Sequence, residues 1–306
     1  MSASLNYKNI FIVLLVGVGY LLLSDWLIGY KQEQLVLVFI FLSCYFFSTI
    51  TRKFILGFSV FIVFWILFDY MKAFPNYLYN TVHIEQLYHA EKKLFGFHIN
   101  NQIVTPNEYW LNNHNHLLDI LTGFFYLSWM PVPLVFAAYL FYKNRQHFFY
   151  FSLSFLLVNC IGFIVYYIYP AAPPWYVQQY GFDFIAGTPG NTAGLARFDA
   201  YFNTTIFKHL YEKSSNVFAA MPSLHASYPL IVLYYGIKFK MGNWNYVFAI
   251  NTLGIWFAAV YTSHHYILDV LAGIICGITG IFLFLWMLKS SKGFKKLVDH
   301  AIISIS

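Results

Sequence analysis

The sequence predicts an all-α protein, a polytopic membrane helix bundle with about eight transmembrane helices. Of the 306 residues, 59% are hydrophobic and only 10% are charged, and the mean hydropathy is +0.59. A soluble domain of this length needs far more charge on its surface. Apolar runs near the ~20 residues that cross a bilayer also recur along the chain, which supports the same class.

Eight apolar runs account for the predicted spans. They cover approximately residues 10–28, 34–50, 54–71, 117–142, 147–168, 223–240, 244–263 and 265–288. The fourth run contains WMPVPL, whose prolines favour a kink. Two longer polar stretches, 72–116 and 169–222, interrupt the runs and are rich in residues typical of loops.

Two features of the apolar runs argue against a cleaved signal peptide and against a disulfide or metal set. The first run continues to Ile28 without a small-residue cleavage site, so we interpret it as a span rather than a signal peptide. The three cysteines, Cys44, Cys160 and Cys276, lie far apart in apolar runs. We interpret them as small buried hydrophobic residues rather than as a disulfide or metal set.

Basic residues are distributed unevenly among the predicted connections. Eleven of the eighteen lysines and arginines fall in the amino terminus, three short loops and the tail. Because cytoplasmic segments carry the excess of Lys and Arg, we expect both termini in the cytoplasm and both long polar stretches on the extracytoplasmic side. This topology explains the net charge of +6, and no nucleic-acid partner is predicted.

One candidate catalytic motif is YTSHHYILDVLAG, residues 261–273. Its His265 and Asp269 are four residues apart, so on a helix they share a face. A carboxylate there can accept the proton of one imidazole nitrogen and aim the other nitrogen outward as a nucleophile.

A second candidate motif is AAMPSLHASYP, residues 219–229. Pro222 stands where a helix is expected to begin, with Ser223 and His225 in its first turn. Proline suits that position, and free backbone N–H groups at a helix start suit a phosphate. Two histidine sites that open two helices on one side of the membrane predict a phosphoryl-transfer centre, in which one imidazole attacks phosphorus and the other manages the leaving-group proton.

Either motif alone has a simpler interpretation. Polar residues at helix ends near the lipid headgroups are often solvated and inert. Ionisable groups placed deeper cost roughly 2.5–3.5 kcal/mol on insertion scales, which argues against an accidental arrangement. The two motifs together favour function.

The segments PSLHAS and HHYILDVLAG, in this order and spacing, resemble the second and third signature motifs of the type 2 phosphatidic acid phosphatase superfamily. More specifically, PGNTAGLARFD, VFAAMPSLHAS and SHHYILDV look like its inositol phosphorylceramide synthase branch. YPAAPPWY at 169–176 resembles that branch's first motif, and AEKKLFG at 90–96 is similar to segments upstream of the core in bacterial relatives. The resemblance covers roughly residues 54–288.

The resemblance implies a division of the chain and roles for its residues. Residues 51–290 would form a six-helix catalytic core, with two accessory helices in 1–50 and a basic cytoplasmic tail in 291–306. His265 would be the nucleophile that forms a phosphohistidine, and Asp269 its orienting carboxylate. His225 would protonate the departing diacylglycerol oxygen and then act as base on the incoming hydroxyl. Such a double displacement uses no cofactor and no metal.

Three positions depart from the pattern of the superfamily's phosphatases. These enzymes carry a lysine and an arginine ahead of the first motif's proline, and an arginine six residues before the nucleophilic histidine. Here Gly162, Tyr169 and Ala259 stand at those positions. A dianionic phosphate monoester needs such a cationic clamp, whereas a phosphodiester carries one negative charge and needs less. The sequence therefore favours a diester lipid and headgroup transfer.

Three further residues are candidates for binding the substrate phosphate. Arg197, in GLARFD, can bind phosphate oxygens bidentately, or it forms a salt bridge to Asp199 or another contact within its loop. Ser223 can donate a hydrogen bond to phosphate, or it caps its helix. His264 is a second candidate contact, or an interfacial neighbour that points away from the face of Asp269.

The other polar residues of the long stretches do not predict a metal site. NHNH at 113–116, with His83, His89 and His98, lacks the helical spacings of metal-binding histidine boxes. We interpret these histidines as polar groups of an interfacial segment. Asp69 and Asp119 lie at the ends of spans as helix-end residues, or alternatively bind inositol hydroxyls.

These observations predict an integral membrane phosphotransferase that moves phosphoinositol, or a related phospho-headgroup, from a glycerophospholipid to a ceramide-like lipid. Its partners are then a phosphatidylinositol-like donor, a ceramide-like acceptor and the membrane. A lipid phosphatase or phospholipase C-like hydrolase with the same residues is the first alternative, and a non-enzymatic transporter is the second. A bacterial inner membrane with a periplasm-facing site is favoured over a Golgi membrane with a lumen-facing site.

Overall fold

The computed structural model describes residues 6–212 and 216–306, which are predominantly helical. In chain order the helices are α1 (Tyr7–Ile28), α2 (Gln32–Phe47), α3 (Thr49–Tyr70), α4 (Glu85–Phe95), α5 (Pro106–Asn112), α6 (His116–Leu127), α7 (Pro131–Lys143), α8 (Arg145–Ile168), α9 (Pro174–Tyr180), α10 (Ala196–Phe202), α11 (Ile206–Glu212), α12 (Leu224–Lys238), α13 (Trp244–Tyr261), α14 (Ile267–Ser290) and α15 (Lys292–Ile305). The predicted all-α class is confirmed.

One small element was not expected from the sequence. β1 (Phe97–Ile99) and β2 (Gln102–Val104) form an antiparallel hairpin in which Phe97 lies opposite Val104. Three-residue strands are too short to show the alternation of apolar and polar residues by which a strand is recognised in a sequence.

The predicted count of eight spans is not confirmed. Within the described residues, four helices are long and apolar enough to cross a membrane, namely α1, α3, α8 and α14, and α6 with α7 makes a fifth if the pair is one broken span. The expected kink in the fourth run is confirmed, because α6 and α7 meet at an angle of 42°. α2 is apolar but has only 16 residues, and α12 has 15 with Pro229 inside it. The chain is an integral membrane protein.

The described chain forms two compact units. The first contains residues up to 74, 137–156 and 284–306, and the second contains 75–136 and 157–283. In the first unit, Ser48 caps α3 by accepting a hydrogen bond from the Thr51 N–H, and the Phe64 ring packs edge-on against Phe155. The expected division into accessory helices, core and tail stays a prediction.

The predicted basic tail forms the amphipathic helix α15, which begins after the Ser291 cap. Val298 and Ile305 are each 1% exposed, whereas Lys295 and Lys296 are exposed. An apolar face opposite a lysine-rich face is typical of a helix that lies along a surface.

The two long polar stretches are folded segments rather than loops. The first contains α4, the hairpin and α5, and the second contains α9, α10 and α11. Local capping explains part of this order, because the Thr105 hydroxyl accepts from the Glu108 N–H and the Glu108 carboxylate accepts from the Thr105 N–H. This reciprocal pair is a capping box, which starts α5.

The second unit has an apolar core between α6, α10, α12 and α13. Tyr126, Phe198, Ala226 and Ala258 are among its buried members. The Trp256 Nε1–H donates to the Ala226 carbonyl at 2.9 Å and joins α13 to α12. This packing fixes the beginning of α12, where the PSLHAS segment lies.

Candidate active site

The PSLHAS segment forms the start of α12. We expected the helix to begin at Pro222, but it begins at Leu224, because the Ser223 side chain caps it by accepting from the Ala226 N–H at 3.4 Å. Ser223 is fully buried, so its capping alternative is confirmed, and His225 lies in the first turn beyond it.

The HHYILD segment lies partly outside the helix predicted to begin at residue 265. α13 ends at Tyr261 and α14 begins at Ile267, so His264 and His265 lie in a turn between them, residues 262–266, which we call the histidine turn. The N–H groups of both histidines donate to the carbonyl of Ala259, at 3.1 and 3.0 Å. Ser263 has a left-handed φ of 60°, a conformation that non-glycine residues seldom adopt.

Close backbone packing brings the two motifs together. The Ser223 N–H donates to the Asp269 carbonyl at 2.9 Å, and the Ser227 hydroxyl donates to the Gly273 carbonyl at 2.6 Å. A Cβ atom on Gly273 would lie 2.1 Å from the Ser223 carbonyl oxygen. Only glycine allows this approach of α12 to α14.

The predicted catalytic histidines are in direct contact. His225 Nδ1 lies 3.2 Å from His265 Nε2, and His265 Nδ1 lies 3.6 Å from Asp269 Oδ2. The second distance is longer than a hydrogen bond, because Asp269 Oδ2 accepts from the Tyr266 N–H at 2.8 Å. The role of Asp269 as the orienting carboxylate therefore stays a prediction.

One arrangement of protons fits these contacts. A proton on His265 Nδ1 faces Asp269, which leaves Nε2 with a free lone pair, and a proton on His225 Nδ1 then points at that lone pair. We assign the His225 proton from its 3.2 Å contact with His265 Nε2 and the His265 proton from the Asp269 carboxylate 3.6 Å from Nδ1. In this state His265 Nε2 can attack an electrophile and His225 can donate a proton.

Two aromatic residues beside the pair were missed in the sequence. The Tyr126 hydroxyl lies 3.3 Å from His225 Nδ1, and the Trp129 ring packs edge-on against the His225 ring with centroids 4.7 Å apart. Both belong to the FFYLSWM segment, whose aromatic residues are no different in type from those that face lipid. Nothing in the sequence distinguishes them.

The site is shielded from water. His264 and His265 are each 5% exposed, and Asp269 is fully buried. His225 is half-buried, so the pair opens on its side. A dry pocket strengthens electrostatic interactions and protects a reactive intermediate from hydrolysis.

His264 lies close to the histidine pair. Its ring packs 5.2 Å from that of Tyr126 and 4.5 Å from that of Tyr211, and its Nδ1 lies 3.0 Å from the Thr262 hydroxyl. Within the described residues, His264 Nε2 is buried and has no hydrogen-bond partner.

Arg197 belongs to a second cluster. Its Nε donates to Asp119 Oδ1 at 2.6 Å, and the Tyr261 hydroxyl donates to the same oxygen at 2.8 Å. The expected alternative, a salt bridge to Asp199, is wrong, because Asp199 accepts from the N–H groups of Phe207 and Lys208 at the start of α11. Arg197 Nη2 is buried without a hydrogen-bond partner among the described residues.

At the three positions where related phosphatases carry cations, this chain has uncharged residues that pack against their neighbours. A Cβ atom on Gly162 would lie 2.7 Å from Leu224 Cδ2, so Leu224 occupies that space. Ala259 is fully buried, and the Tyr169 ring stacks on His83 at 3.8 Å. These contacts place apolar and aromatic groups where a cationic clamp would stand.

The histidines of the first polar stretch lie in separate places. His89 pairs with Glu85, His114 lies 3.5 Å from Asp119, and His116 packs near Tyr201. In residues 6–212 and 216–306, no group of three or more His, Cys, Asp or Glu side chains is arranged to hold a metal ion.

Two residues of the first polar stretch contact the histidine turn or the beginning of α14 beside it. The Glu91 carboxylate accepts from the N–H groups of Ile267 and Leu268, and Asn107 Nδ2 donates to the carbonyls of Val260 and His265. AEKKLFG contains Glu91, but no spacing in the sequence pairs it with α14.

Comparison with known proteins agrees with this geometry. A family model described as PAP2 superfamily matches residues 85–283, which include both histidine motifs. The chain therefore belongs to the PAP2 superfamily. Within it, the chain is an enzyme of the inositol phosphorylceramide synthase-like branch.

Three relatives illustrate this placement. The chain is 43% identical to the phosphoinositol dihydroceramide synthase of Bacteroides thetaiotaomicron over 96% of its own length and 97% of that protein. It is 28% identical to the inositol phosphorylceramide synthase catalytic subunit of Saccharomyces cerevisiae over 78% of its own length and 58% of that protein. The Schizosaccharomyces pombe catalytic subunit is 32% identical over 39% of this chain and 28% of that protein. No solved structure matches the chain.

Proposed function

We propose that this enzyme transfers phosphoinositol from a glycerophospholipid to a ceramide-like lipid through a phosphohistidine on His265. The observation that carries the proposal is the part-buried contact between His225 Nδ1 and His265 Nε2, at 3.2 Å. It occurs in a chain that matches a phosphoinositol dihydroceramide synthase over nearly its whole length.

The first half-reaction breaks the bond between phosphorus and the diacylglycerol oxygen. The donor phosphate enters between the two imidazole rings and replaces their direct contact. The lone pair of His265 Nε2 then attacks phosphorus. His225 acts here as an imidazolium, protonated on both ring nitrogens, and gives its Nδ1 proton to the departing oxygen, which leaves as diacylglycerol while His225 becomes neutral. His265 then carries the phosphoinositol group.

The second half-reaction reverses these roles. His225, now without its proton, removes the proton of the ceramide hydroxyl, whose oxygen attacks phosphorus. The bond between His265 Nε2 and phosphorus breaks, and both histidines return to their first protonation state. Atoms and protons balance without a further reagent.

The charge of the site supports a diester substrate. Gly162, Tyr169 and Ala259 leave the phosphate without the cations of related phosphatases. A diester carries one negative charge, and the buried His264 Nε2 and Arg197 Nη2 are the donors that we propose for it. Ser223 contributes by holding the first turn of α12, whose free N–H groups can face the phosphate.

The burial of the site favours a lipid hydroxyl over water as acceptor. With His265 only 5% exposed, an intermediate on its Nε2 is protected from hydrolysis. Both lipid substrates can reach a site at headgroup depth by lateral diffusion. A hydrolase with the same residues is therefore the second candidate function.

We place the site on the extracytoplasmic face of the membrane, which is the periplasmic face in a bacterial inner membrane. The excess of Lys and Arg in the short connections and tail supports this orientation. The long stretches that hold Glu91 and Arg197 then lie with the site.

The test is headgroup transfer by the purified enzyme in mixed micelles with phosphatidylinositol labelled in its headgroup. We expect label to appear on ceramide, and only when ceramide is present. Release of label into water at one rate with and without ceramide would overturn the transfer reaction. We expect His265→Ala and His225→Ala to abolish transfer while His89→Ala, which removes an exposed histidine, leaves it intact. Full activity of both site variants would exclude the phosphohistidine.

A further inference from the structure

The beginning of α14 is capped by a residue that lies 176 positions earlier in the chain. Glu91 Oε1 accepts from the Ile267 N–H at 3.0 Å, and Glu91 Oε2 accepts from the Leu268 N–H at 3.1 Å. The first N–H groups of a helix have no acceptor within the helix and need one from elsewhere. A carboxylate also suits the positive end of the helix dipole.

The placement of Glu91 is unusual for an ionisable residue. It lies on α4 and is fully buried. Burying a carboxylate is unfavourable unless its oxygens are satisfied, and here the two backbone N–H groups of α14 satisfy them. A cap chosen for stability alone is more easily supplied by a nearby Ser, Thr or Asp.

Asn107 holds the other side of the histidine turn. Its Nδ2 donates to the Val260 carbonyl at 2.8 Å and to the His265 carbonyl at 2.9 Å. It therefore ties the end of α13 to the histidine itself. The turn is fixed before and after His265 by side chains of the first polar stretch.

Because Glu91 caps α14, the Asp269 carboxylate does not have to accept from the same N–H groups. Asp269 Oδ2 accepts from the Tyr266 N–H, while Asp269 Oδ1 has no hydrogen-bond partner among the described residues. Because Glu91 takes the N–H groups of Ile267 and Leu268, Asp269 is not needed to satisfy them. Its Oδ2, which also accepts from the Tyr266 N–H, remains 3.6 Å from His265 Nδ1.

We propose that Glu91 is a positioning residue for the histidine nucleophile. It anchors the first turn of α14. His265, which lies between His225 and Asp269, is thereby held with its Nε2 facing the phosphate. This role rests on the proposed transfer reaction. Glu91 touches neither substrate, and its effect reaches the reaction through the backbone of residues 265–268.

The test combines kinetics with amide exchange in the full-length enzyme in micelles. We expect Glu91→Ala to lower kcat about 10- to 100-fold, since misplacing a reacting group by ~1 Å has effects of this size. KM for both lipids should stay within about twofold, because no substrate contact is lost. Glu91→Gln keeps one acceptor oxygen and should fall between wild type and Glu91→Ala.

Hydrogen–deuterium exchange gives a readout that does not depend on activity. Amides of residues 262–272 should exchange faster in both Glu91 variants, at a pH above the Glu91 pKa. Glu85→Gln is the matched control, since it removes an exposed carboxylate from the same helix. It should change neither kcat nor exchange.

Three outcomes would overturn the role of Glu91. They are a folded Glu91→Ala enzyme with wild-type kcat, a rise in KM that accounts for the whole loss, and unchanged exchange at residues 262–272. If Glu91→Ala does not fold, Glu91→Gln carries the same comparison. If the wild-type enzyme transfers no headgroup while Glu91→Gln still speeds exchange, the proposed function fails and the anchoring of α14 stands.

Discussion

Ionisable side chains around the beginning of α14 are buried. Glu91 and Asp269 are fully buried, and His264 and His265 keep 5% exposure each. Burial of such groups opposes folding. Clusters of this kind therefore concentrate at functional sites, where each residue is retained for its chemistry.

Glu91 makes stability depend on pH in an uncommon direction. Burial raises the pKa of its carboxyl to about 7, with the negative charge of Asp269 adding to the effect and the N–H groups of Ile267 and Leu268 opposing it. A carboxyl whose pKa is higher in the folded state binds more protons there than in the unfolded state, so its contribution to stability is present at low pH and lost as pH rises through about 7.

We therefore expect the Tm of the wild type to fall relative to that of Glu91→Gln as pH rises from about 4.5 to about 7. The change in the free energy of unfolding should not exceed about 3 kcal/mol. Thermal unfolding in detergent across this range measures it, with Glu85→Gln as the reference for an exposed carboxyl. A difference in Tm that stays constant with pH contradicts the raised pKa.

Tyr126 provides a second test at the residue level. Its hydroxyl lies 3.3 Å from His225 Nδ1 and its ring is buried. Tyr126→Phe keeps the ring packing and removes the hydroxyl, which contacts His225 and also hydrogen-bonds with Tyr211. We expect a decrease in kcat of about tenfold, since one neutral hydrogen bond is worth ~1 kcal/mol or slightly more, with Tm nearly unchanged. Wild-type kcat in this variant would show that the hydroxyl does not assist His225.

At the level of helices, the contact between His225 and His265 depends on how closely α12 approaches α14. The Ser223 N–H, the Ser227 hydroxyl and the Gly273 backbone form the contact surface. His225 lies in the first turn of α12 and His265 in the histidine turn just before α14, so any separation of α12 from α14 moves His225 away from His265. Packing at a backbone contact therefore sets the distance between the two imidazoles.

Gly273→Ala tests this dependence. The new methyl group would lie 2.1 Å from the Ser223 carbonyl oxygen, so α12 must move. We expect a loss of stability of about 1–3 kcal/mol, as for other overpacked contacts, and a decrease in kcat of at least tenfold by the same argument from misplacement.

Gly277→Ala is the control one helical turn further along α14. Its nearest contact would be 3.3 Å, to the flexible Leu230 side chain, which can adjust. We expect this variant to retain most activity and stability in the same transfer and unfolding assays. Equal effects of the two substitutions would mean that the approach at Gly273 is not special.

At the level of the whole molecule, the sidedness of the site can be measured. In a chain without Cys44, Cys160 and Cys276, a cysteine replacing exposed Glu85 should react with a membrane-impermeant maleimide in intact spheroplasts. A cysteine replacing exposed Lys296 should react only after permeabilisation. The reverse pattern would place the site on the cytoplasmic face.

Sequence reasoning was strongest where periodic patterns or compact motifs carry the information. The helical membrane class and the bend at WMPVPL follow from hydropathy and proline chemistry, and His225, His265 and Asp269 follow from two short motifs. The contact between His225 and His265 depends on the close approach at Gly273, which no local pattern reveals. The choice of Asp119 rather than Asp199 as the partner of Arg197 likewise depends on tertiary packing.

The span count is not confirmed for a related reason. Hydropathy predicts apolar runs, but α12 is only 15 residues long, and the run from 117 to 142 is broken between α6 and α7. Helices that pack against one another near an active site can be shorter and more polar than isolated spans. Glu91 was missed because its partners are backbone N–H groups, which every residue except proline possesses.

The cap of α14 by Glu91 also has a consequence for folding during synthesis of the chain. During translation Glu91 leaves the ribosome 176 residues before the first N–H group that it binds. Until α14 is synthesised and inserted, this carboxylate must remain hydrated or be held by another partner. The beginning of α14 thus acquires its Glu91 cap only after α14 itself has been synthesised.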